Sequence, residues 1–195
     1  METETRQENR MLHSLVYTGA ALRNHIAGSG ISAYKKRDCL EEIEDYLRGR
    51  EKRVLGLCGL GRTGRTTLLY QAIEALGQYE DAALVVCSRA DSISDIKHLF
   101  DEVKCRCIFL DDVTEVSDFA ENCGFLADEL VQSGRKVLLS GGDGDELVLL
   151  KEGVLKDKLR LLKVSYVSFR EFQRFSGASL EDYFGFQTEQ SGERV

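Results

Sequence analysis

The segment CGLGRTGRTT, residues Cys58–Thr67, fits two different nucleotide-binding motifs. With the spacing Gly59-x-Gly61-x-x-Gly64 it matches the glycine fingerprint of dinucleotide-binding Rossmann domains. Read instead as GLGRTGRT, it matches the phosphate loop GxxxxGK[ST], with Arg65 in the place of the lysine. The first motif is typical of hydride-transfer enzymes and the second of NTPases, so the choice depends on the rest of the chain.

Around this loop, short apolar runs of strand type alternate with stretches that have apolar residues at helical spacing. The predicted strands are Arg53–Cys58, Ala83–Cys87, Cys107–Leu110, Lys136–Ser140 and Leu161–Val167. The predicted helices are Met11–Ala27, Tyr34–Leu47, Thr66–Tyr79, Ser92–Val103, Val116–Gln132, Asp145–Leu155, Phe169–Phe175 and Leu180–Phe184. This alternation predicts a three-layer α/β/α sandwich with a five-stranded parallel sheet and two N-terminal helices. We expect residues 1–10 to be a frayed tail and residues 11–195 to form one domain.

Three features outside the glycines favour the phosphate loop. Thr66 and Thr67 follow Gly64-Arg65 directly, and a phosphate loop needs a hydroxyl at position 66 to ligate Mg²⁺. The third strand ends in Asp111 and Asp112, where Asp111 would hold Mg²⁺ through water and Asp112 would orient the attacking water. The fourth strand ends in Ser140, whose hydroxyl can contact the γ-phosphate or its water.

The Rossmann alternative retains one supporting residue. A dinucleotide site has a charged residue near the end of its second strand, and here that strand is followed by Arg89. An arginine at this place can receive the 2′-phosphate of NADP. An NADP-dependent oxidoreductase is therefore the competing hypothesis.

Five segments of the chain together resemble a large prokaryotic group of AAA-type ATPases. They are YKKRDCLEEIEDYL, RVLGLCGLGRTGRTTLLYQAI, CIFLDDVTEVSDF, VLLSGG and SYVSFREF, between Tyr34 and Phe172. The group has a phosphate loop of roughly GxRRxGKTTL, an apolar strand ending in Asp-Glu, a Thr-Gly-Ser stretch and a Pro-Leu-Ser-Phe-x-Glu-Phe ending. Its members usually carry a lid and a C-terminal winged-helix or nuclease-like domain. By this resemblance, the sequence ends about where the lid and the C-terminal domain would begin, so we expect either a fragment or a shortened relative.

The resemblance also implies roles for individual residues. Nucleotide contacts fall on the whole phosphate loop: Gly59, Leu60, Gly61, Arg62, Thr63, Gly64, Arg65, Thr66 and Thr67. Asp111 and Thr66 are the metal-site residues, with Mg²⁺ and ATP as the implied cofactors. Asp112 and Ser140 are the catalytic candidates within the site. Lys158 falls where the group tends to have a trans-acting arginine finger, and Arg160 lies two residues on.

The chain departs from the group's pattern at five positions. Arg65 replaces lysine, Asp112 replaces glutamate, Gly142 replaces a serine, Lys158 replaces the finger arginine and Tyr166 replaces proline. Because a guanidinium is a wide planar fork and not a point charge, the change at position 65 is not conservative. We expect Mg-ATP to bind weakly and hydrolysis to be slow. The alternative is a degenerate scaffold that binds nucleotide without turnover.

The sequence allows two roles for Arg62 and two for Tyr34 and Arg37. Arg62 is either a solvated loop tip or a phosphate contact. Tyr34 and Arg37 either approach the adenine or ribose, or pack the following helix onto the sheet.

Composition limits the partners. The formal net charge is -7 over 195 residues, so non-specific binding to nucleic acid or to an anionic membrane is disfavoured. No apolar run approaches the ~18 residues of a spanning helix, and the polar N-terminus does not resemble a secretory signal. We therefore expect a cytoplasmic protein whose six cysteines are free thiols. The expected partners are a nucleotide and either a second copy of the chain or another protein.

Overall fold

The computed structural model of the chain describes residues 13–141, 144–177, 179–182 and 184, with only the backbone described at residues 129, 130 and 144. Its strands are β1 (Leu15–Thr18), β2 (Val54–Cys58), β3 (Ala82–Val86), β4 (Cys107–Asp111), β5 (Lys136–Ser140) and β6 (Leu159–Lys163). Its α-helices are α1 (Gly19–Gly28), α2 (Leu40–Arg48), α3 (Arg65–Leu76), α4 (Ile93–Glu102), α5 (Phe119–Asn122), α6 (Gly144–Glu152) and α7 (Phe169–Ser176).

The strands form one sheet in the order β1-β3-β4-β5-β2-β6. The five strands β2, β3, β4, β5 and β6 run parallel, as the sequence predicts. β1 pairs antiparallel with β3. The glycine loop follows β2, which lies between β5 and β6 and not beside β3. The carboxyl ends of β2, β4 and β5 meet at one edge of the sheet, and this edge carries the candidate site.

Helices cover both faces of the sheet, which explains why every residue of β2, β4 and β5 is buried. One layer packs α1, α2 and α3 against a set of strand residues that includes Leu55, Leu57, Leu84, Phe109 and Leu138. The other layer packs α4, α6 and the segment 113–131 against the alternate strand residues, among them Val85, Ile108 and Leu139. The architecture is the predicted three-layer α/β/α sandwich.

The N-terminal segment differs from the prediction of one helix over Met11–Ala27. Residues Leu15–Thr18 form β1 instead, and α1 starts at Gly19, where the backbone φ is +50°. The buried carboxylate of Asp91 anchors this strand, because it accepts hydrogen bonds from the backbone N–H groups of His13 and Ser14. The sheet therefore has a sixth, antiparallel edge strand, and the two N-terminal helices are shorter than predicted.

Two other elements differ in extent. In place of the predicted helix Val116–Gln132, the structure has the short α5 and a π-helix at Leu126–Val131, separated near Gly124. A 3₁₀ turn at Val113–Glu115 precedes them. The last strand begins two residues earlier and ends four residues earlier than the predicted Leu161–Val167. The predicted tail, Gly142 and part of the predicted helix Leu180–Phe184 lie outside the described residues.

Within the described ranges, no helix combines the length and the apolar content that crossing a bilayer requires.

Candidate functional site

The loop between β2 and α3 is shaped by two glycines. A Cβ on Gly59 would lie 2.1 Å from the backbone oxygen of Val164, so no other residue fits there without moving the chain that follows β6. Gly64 has a φ of +87°, in the left-handed region, and it precedes the first turn of α3. No side chain caps this helix N-terminus. The positive end of the helix dipole is therefore available to an anion.

The tip of the loop is open to solvent. Leu60, Gly61 and Arg62 are all exposed, and Arg62 has a left-handed φ of 61°. Within the described part of the chain, no carbonyl accepts a hydrogen bond from the backbone N–H groups of residues 60–64. Adjacent N–H groups without acceptors are what a phosphate cradle offers.

The threonines of the loop face different ways. Thr63 is buried, and its hydroxyl donates to the carbonyl oxygen of Leu60 at 2.9 Å, so its side chain closes the loop. Thr66 is exposed on the first turn of α3, whereas Thr67 is half-buried beside Gly64. Of the three hydroxyls, the one on Thr66 has the position that the motif predicts for a metal ligand.

Arg65 folds back onto its own loop. Its guanidinium donates hydrogen bonds to the carbonyl oxygens of Gly59 and Leu60, the latter at 2.8 Å. A guanidinium cannot accept hydrogen bonds and stays charged, so both contacts are charge-assisted. To contact a phosphate, the Arg65 side chain would have to break these bonds.

A hydrogen-bonded chain joins the predicted site residues Thr66, Asp111 and Ser140 across α3, β4 and β5. The hydroxyl of Thr66 donates to Oδ1 of Asp111 at 3.2 Å. The hydroxyl of Ser140 donates to the same oxygen at 2.6 Å and accepts from the backbone N–H of Asp112 at 3.0 Å. The strand order explains this arrangement. Because β5 lies between β2 and β4, Ser140 at its end lies beside Asp111 at the end of β4, and α3, which carries Thr66, follows β2.

Asp111 and Asp112 have different surroundings. Asp111 is 3% exposed, and burial raises the pKa of its carboxyl above the ordinary value, with the charge of Asp112 acting in the same direction. Hydrogen bonds from Ser140 and Thr66 oppose that rise. Asp112 is only half-buried and has a left-handed φ of 53°, a conformation that costs of order 1 kcal/mol or more in a residue other than glycine.

The donor set of Thr66 and Asp111 fits magnesium. Both supply hard oxygen atoms, which Mg²⁺ prefers. The Thr66 hydroxyl oxygen and Oδ1 of Asp111 are 3.2 Å apart, so both can face the same ion. The described residues contain no group of three or more His, Cys, Asp or Glu side chains that could hold a metal by themselves. The remaining ligands of a Mg²⁺ ion would therefore be water and phosphate oxygens, as in other nucleotide sites.

Lys158 does not join this cluster. Its backbone carbonyl accepts from the N–H of Val54, at the amino end of β2, whereas the glycine loop follows the carboxyl end. The five residues of β2 separate the two ends by roughly 13 Å. The Lys158 ammonium instead pairs with Asp128 at 2.6 Å. Lys158 therefore lies away from the Thr66–Asp111 contact of its own chain, and the trans-acting role that the resemblance implies stays a prediction.

The Rossmann hypothesis fails on strand order. In a dinucleotide-binding fold, the strand before the glycine loop pairs with the next strand along the chain. Here β2 pairs with β5 and β6, and β3 lies three places away. Arg89, which follows β3, forms an exposed ion pair with Glu115 and is not beside the glycine loop.

Arg37 also contacts the site, and the motifs do not predict this. Arg37 donates to the carbonyl oxygen of Thr63 at 2.8 Å, to that of Ser165 at 2.9 Å and to the Glu171 carboxylate at 2.9 Å. The side chains of Arg37 and Glu171 are only 9% and 5% exposed. Arg37 therefore packs against the loop, whereas Tyr34 is exposed. The sequence hinted at Glu171 only through the segment SFREF, in which Ser168 and Glu171 have capping-box spacing. They form that box in the structure.

Glu171 is held ionised by its partners. Burial alone would raise the pKa of the Glu171 carboxyl, but hydrogen bonds from Arg37 and from the backbone N–H groups of Ser168 and Asp38 lower it to about 2. Because the ordinary value is 4.5, the folded protein binds this proton less readily than the unfolded chain. The stabilisation is therefore complete above about pH 5 and is lost as the pH falls toward 2.

We expect Glu171→Gln to remove this acid dependence. In the wild-type protein, Glu171 contributes about 3 kcal/mol to the free energy of unfolding at pH 7, and this contribution disappears between about pH 5 and pH 2. Urea unfolding at several pH values should give a shallower fall for the variant over that window. Glu41→Gln, at an exposed position on α2, should keep the wild-type slope. Equal slopes for Glu171→Gln and the wild-type protein would contradict the assignment.

Comparisons with known proteins agree with this geometry at the level of the fold. A closed-state cryo-EM reconstruction of Hsp104 with ATPγS and FITC-casein is 13% identical, with a TM-score of 0.58, over 85% of this chain and 32% of that one. An extended-conformation complex of Hsp104 with casein, from S. cerevisiae, is 16% identical, with a TM-score of 0.56, over 89% of this chain and 33% of the other. The chain thus spans about a third of the length of these Hsp104 chains. No family model and no curated protein matches the sequence. The chain has the fold of the AAA+ P-loop NTPases.

Proposed function

We propose that this chain is an AAA-like module that binds Mg-ATP and hydrolyses it slowly. One observation carries the proposal: the hydroxyls of Thr66 and Ser140 both donate to one carboxylate oxygen of Asp111, beside a glycine loop at an uncapped helix N-terminus. Hydroxyl, carboxylate and backbone N–H groups are the groups that Mg²⁺ and a polyphosphate require.

Each residue has a defined task in this proposal. The backbone N–H groups of residues 60–66 bind the β- and γ-phosphates, and Thr66 with Asp111 holds Mg²⁺. The bound metal neutralises the charge that develops on the phosphate oxygens. Ser140 fixes the Asp111 carboxylate and the backbone N–H of Asp112, so that the Asp112 carboxylate orients the attacking water.

Arg65 and Asp112 make the hydrolysis slow. The guanidinium of Arg65 is bonded to two loop carbonyls, and its contacts compete with its approach to the phosphates. Asp112 is one methylene shorter than the glutamate of the resembling group, and a displacement of about 1 Å can reduce the rate on the order of 10²-fold. These two features favour the second candidate, a scaffold that binds nucleotide without turnover.

The proposed partners follow from the position of Lys158 and from the resemblance. Lys158 lies at the opposite end of the sheet from the site, so an assembly of several copies would be needed to bring it to a neighbour's nucleotide. We propose that nucleotide binding is coupled to a second copy, to another protein or to a further domain.

Steady-state phosphate release separates the two candidates. We expect the wild-type protein to release phosphate from Mg-ATP slowly and Asp112→Asn to abolish this release while it still binds Mg-ATP. The control is Asp101→Asn, which removes an exposed carboxylate on α4. Binding without any release by the wild-type protein would favour the scaffold, and equal release by Asp112→Asn would contradict the role of Asp112.

A further inference from the structure

We infer that Arg37 is a positioning residue that holds the phosphate loop in shape and ties it to α7. This inference rests on the proposed function for its consequence, because a fixed loop matters only if the loop binds phosphate. Its structural part concerns the nucleotide-free protein and can be tested separately.

The contacts of Arg37 reach three separate parts of the chain. Its Nη1 group bonds to the carbonyl of Thr63 in the loop, and its Nη2 group bonds to the carbonyl of Ser165 in the segment between β6 and α7. Its Nε group bonds to the carboxylate of Glu171 on α7. These partners are 26, 128 and 134 residues away in sequence, so one planar guanidinium joins the segment before α2 to the phosphate loop and to the region of Ser165 and α7.

The carbonyl of Thr63 is a sensitive point of the loop. The flanking residues Arg62 and Gly64 both have left-handed φ angles, of 61° and 87°. The Thr63 carbonyl lies between these two left-handed residues, and the bond from Arg37 holds it in place. With this oxygen held, the N–H groups of the loop stay directed toward the position of the phosphates.

A second contact joins the same two regions. Gly59, at the start of the loop, packs so closely on the carbonyl of Val164 that no Cβ fits between them. The segment 164–168 leads directly into α7, whose N-cap is Ser168. The loop is therefore attached to the α7 region at both of its ends, by the packing of Gly59 on Val164 and by the bonds from Arg37 to Thr63 and Glu171.

Arg174 provides a matched comparison. It also joins α7 to the segment before α2, through hydrogen bonds to Asp38 and to the carbonyl of Lys36 at 2.8 Å. None of its recorded contacts in the described residues is with the phosphate loop. Arg37→Lys and Arg174→Lys are thus the same substitution at two residues that each join α7 to the segment before α2. Only Arg37 also contacts the phosphate loop.

Limited trypsin digestion of the nucleotide-free protein tests the positioning role. Trypsin cleaves after the exposed Arg62, and both substitutions preserve the number of trypsin sites. We expect Arg37→Lys to accelerate cleavage of the Arg62–Thr63 bond about tenfold, because a lysine ammonium can replace only one of the three bonds. Arg174→Lys should leave that rate unchanged. The rate is measured by mass spectrometry relative to cleavage after Lys97 in α4, which corrects for a general loss of stability.

Binding of Mg-ATP gives the functional consequence. We expect Arg37→Lys to weaken binding about tenfold and Arg174→Lys to leave it within about twofold of the wild-type value. Glu171→Gln, which removes the charge that orients Arg37, should act in the same direction as Arg37→Lys. It serves as the test if Arg37→Lys does not fold.

The possible results distinguish the positioning role of Arg37 from the proposed nucleotide-binding function. Equal relative cleavage rates in Arg37→Lys and Arg174→Lys would overturn the positioning role, whatever the protein binds. A selective effect of Arg37→Lys on cleavage supports that role. If the wild-type protein then fails to bind Mg-ATP, the proposed function is wrong and the structural role of Arg37 stands.

Discussion

Replacing Arg65 with lysine should strengthen Mg-ATP binding about tenfold and raise the rate of phosphate release. In the wild-type protein the guanidinium is bonded to the carbonyl oxygens of Gly59 and Leu60. Releasing these bonds for a phosphate contact reduces the net affinity, and a net cost of about 1.4 kcal/mol corresponds to a tenfold weaker affinity. A lysine ammonium is compact and can follow the β- and γ-oxygens. Calorimetric titration of both proteins with Mg-ATP measures the difference.

Arg62→Lys is the matched control for this experiment. It makes the same substitution in the same loop, at an exposed position. We expect its affinity to stay within about twofold of the wild-type value, which would also identify Arg62 as a solvated loop tip. An affinity of Arg65→Lys that equals or falls below that of the wild-type protein would contradict the inhibitory role of Arg65.

Asp111→Asn should remove most of the effect of Mg²⁺ on nucleotide binding. The substitution is nearly isosteric, and the amide oxygen can still accept from Thr66 and Ser140, so the hydrogen-bonded chain can persist. What is lost is the negative charge that holds the metal. Losing a group of this kind typically costs 10- to 100-fold in metal affinity. Titrations with ATP in Mg²⁺ and in EDTA should therefore differ strongly for the wild-type protein and only slightly for Asp111→Asn.

Asp112→Asn distinguishes a specific metal site from a general charge effect. It removes a carboxylate from the next residue, which is half-buried and outside the Thr66–Asp111 contact. We expect this variant to keep the Mg²⁺ effect on binding while it loses turnover. If both variants lose the Mg²⁺ effect equally, the metal assignment to Asp111 is wrong.

The sequence predicted the parallel part of the sheet because local signals agree there. Each of β2, β4 and β5 is a largely apolar run of five residues; a glycine follows β2, an acid ends β4 and a hydroxyl residue ends β5. β1 could not be found in this way. Its residues lie inside a longer apolar stretch that also fits a helix, and the contacts that define it come from β3 and from Asp91, 78 residues away.

The sequence predicted only part of the geometry of the candidate site. The motif residues Thr66, Asp111 and Ser140 lie together, as the spacing of strands and loops implies. Lys158 was assigned through the resemblance alone, and only the strand direction places it at the other end of β2. The contact between Arg37 and Glu171 spans 134 residues and depends on how α7 packs, which no local pattern encodes.

Calorimetric titration of the wild-type protein with ATP, in Mg²⁺ and in EDTA, tests the central claim most directly. The account predicts saturable binding of one ATP per chain that is clearly tighter with Mg²⁺, and no comparable binding of NADPH. Absence of binding at millimolar Mg-ATP, or an affinity indifferent to Mg²⁺, would contradict a nucleotide site built from the glycine loop, Thr66 and Asp111.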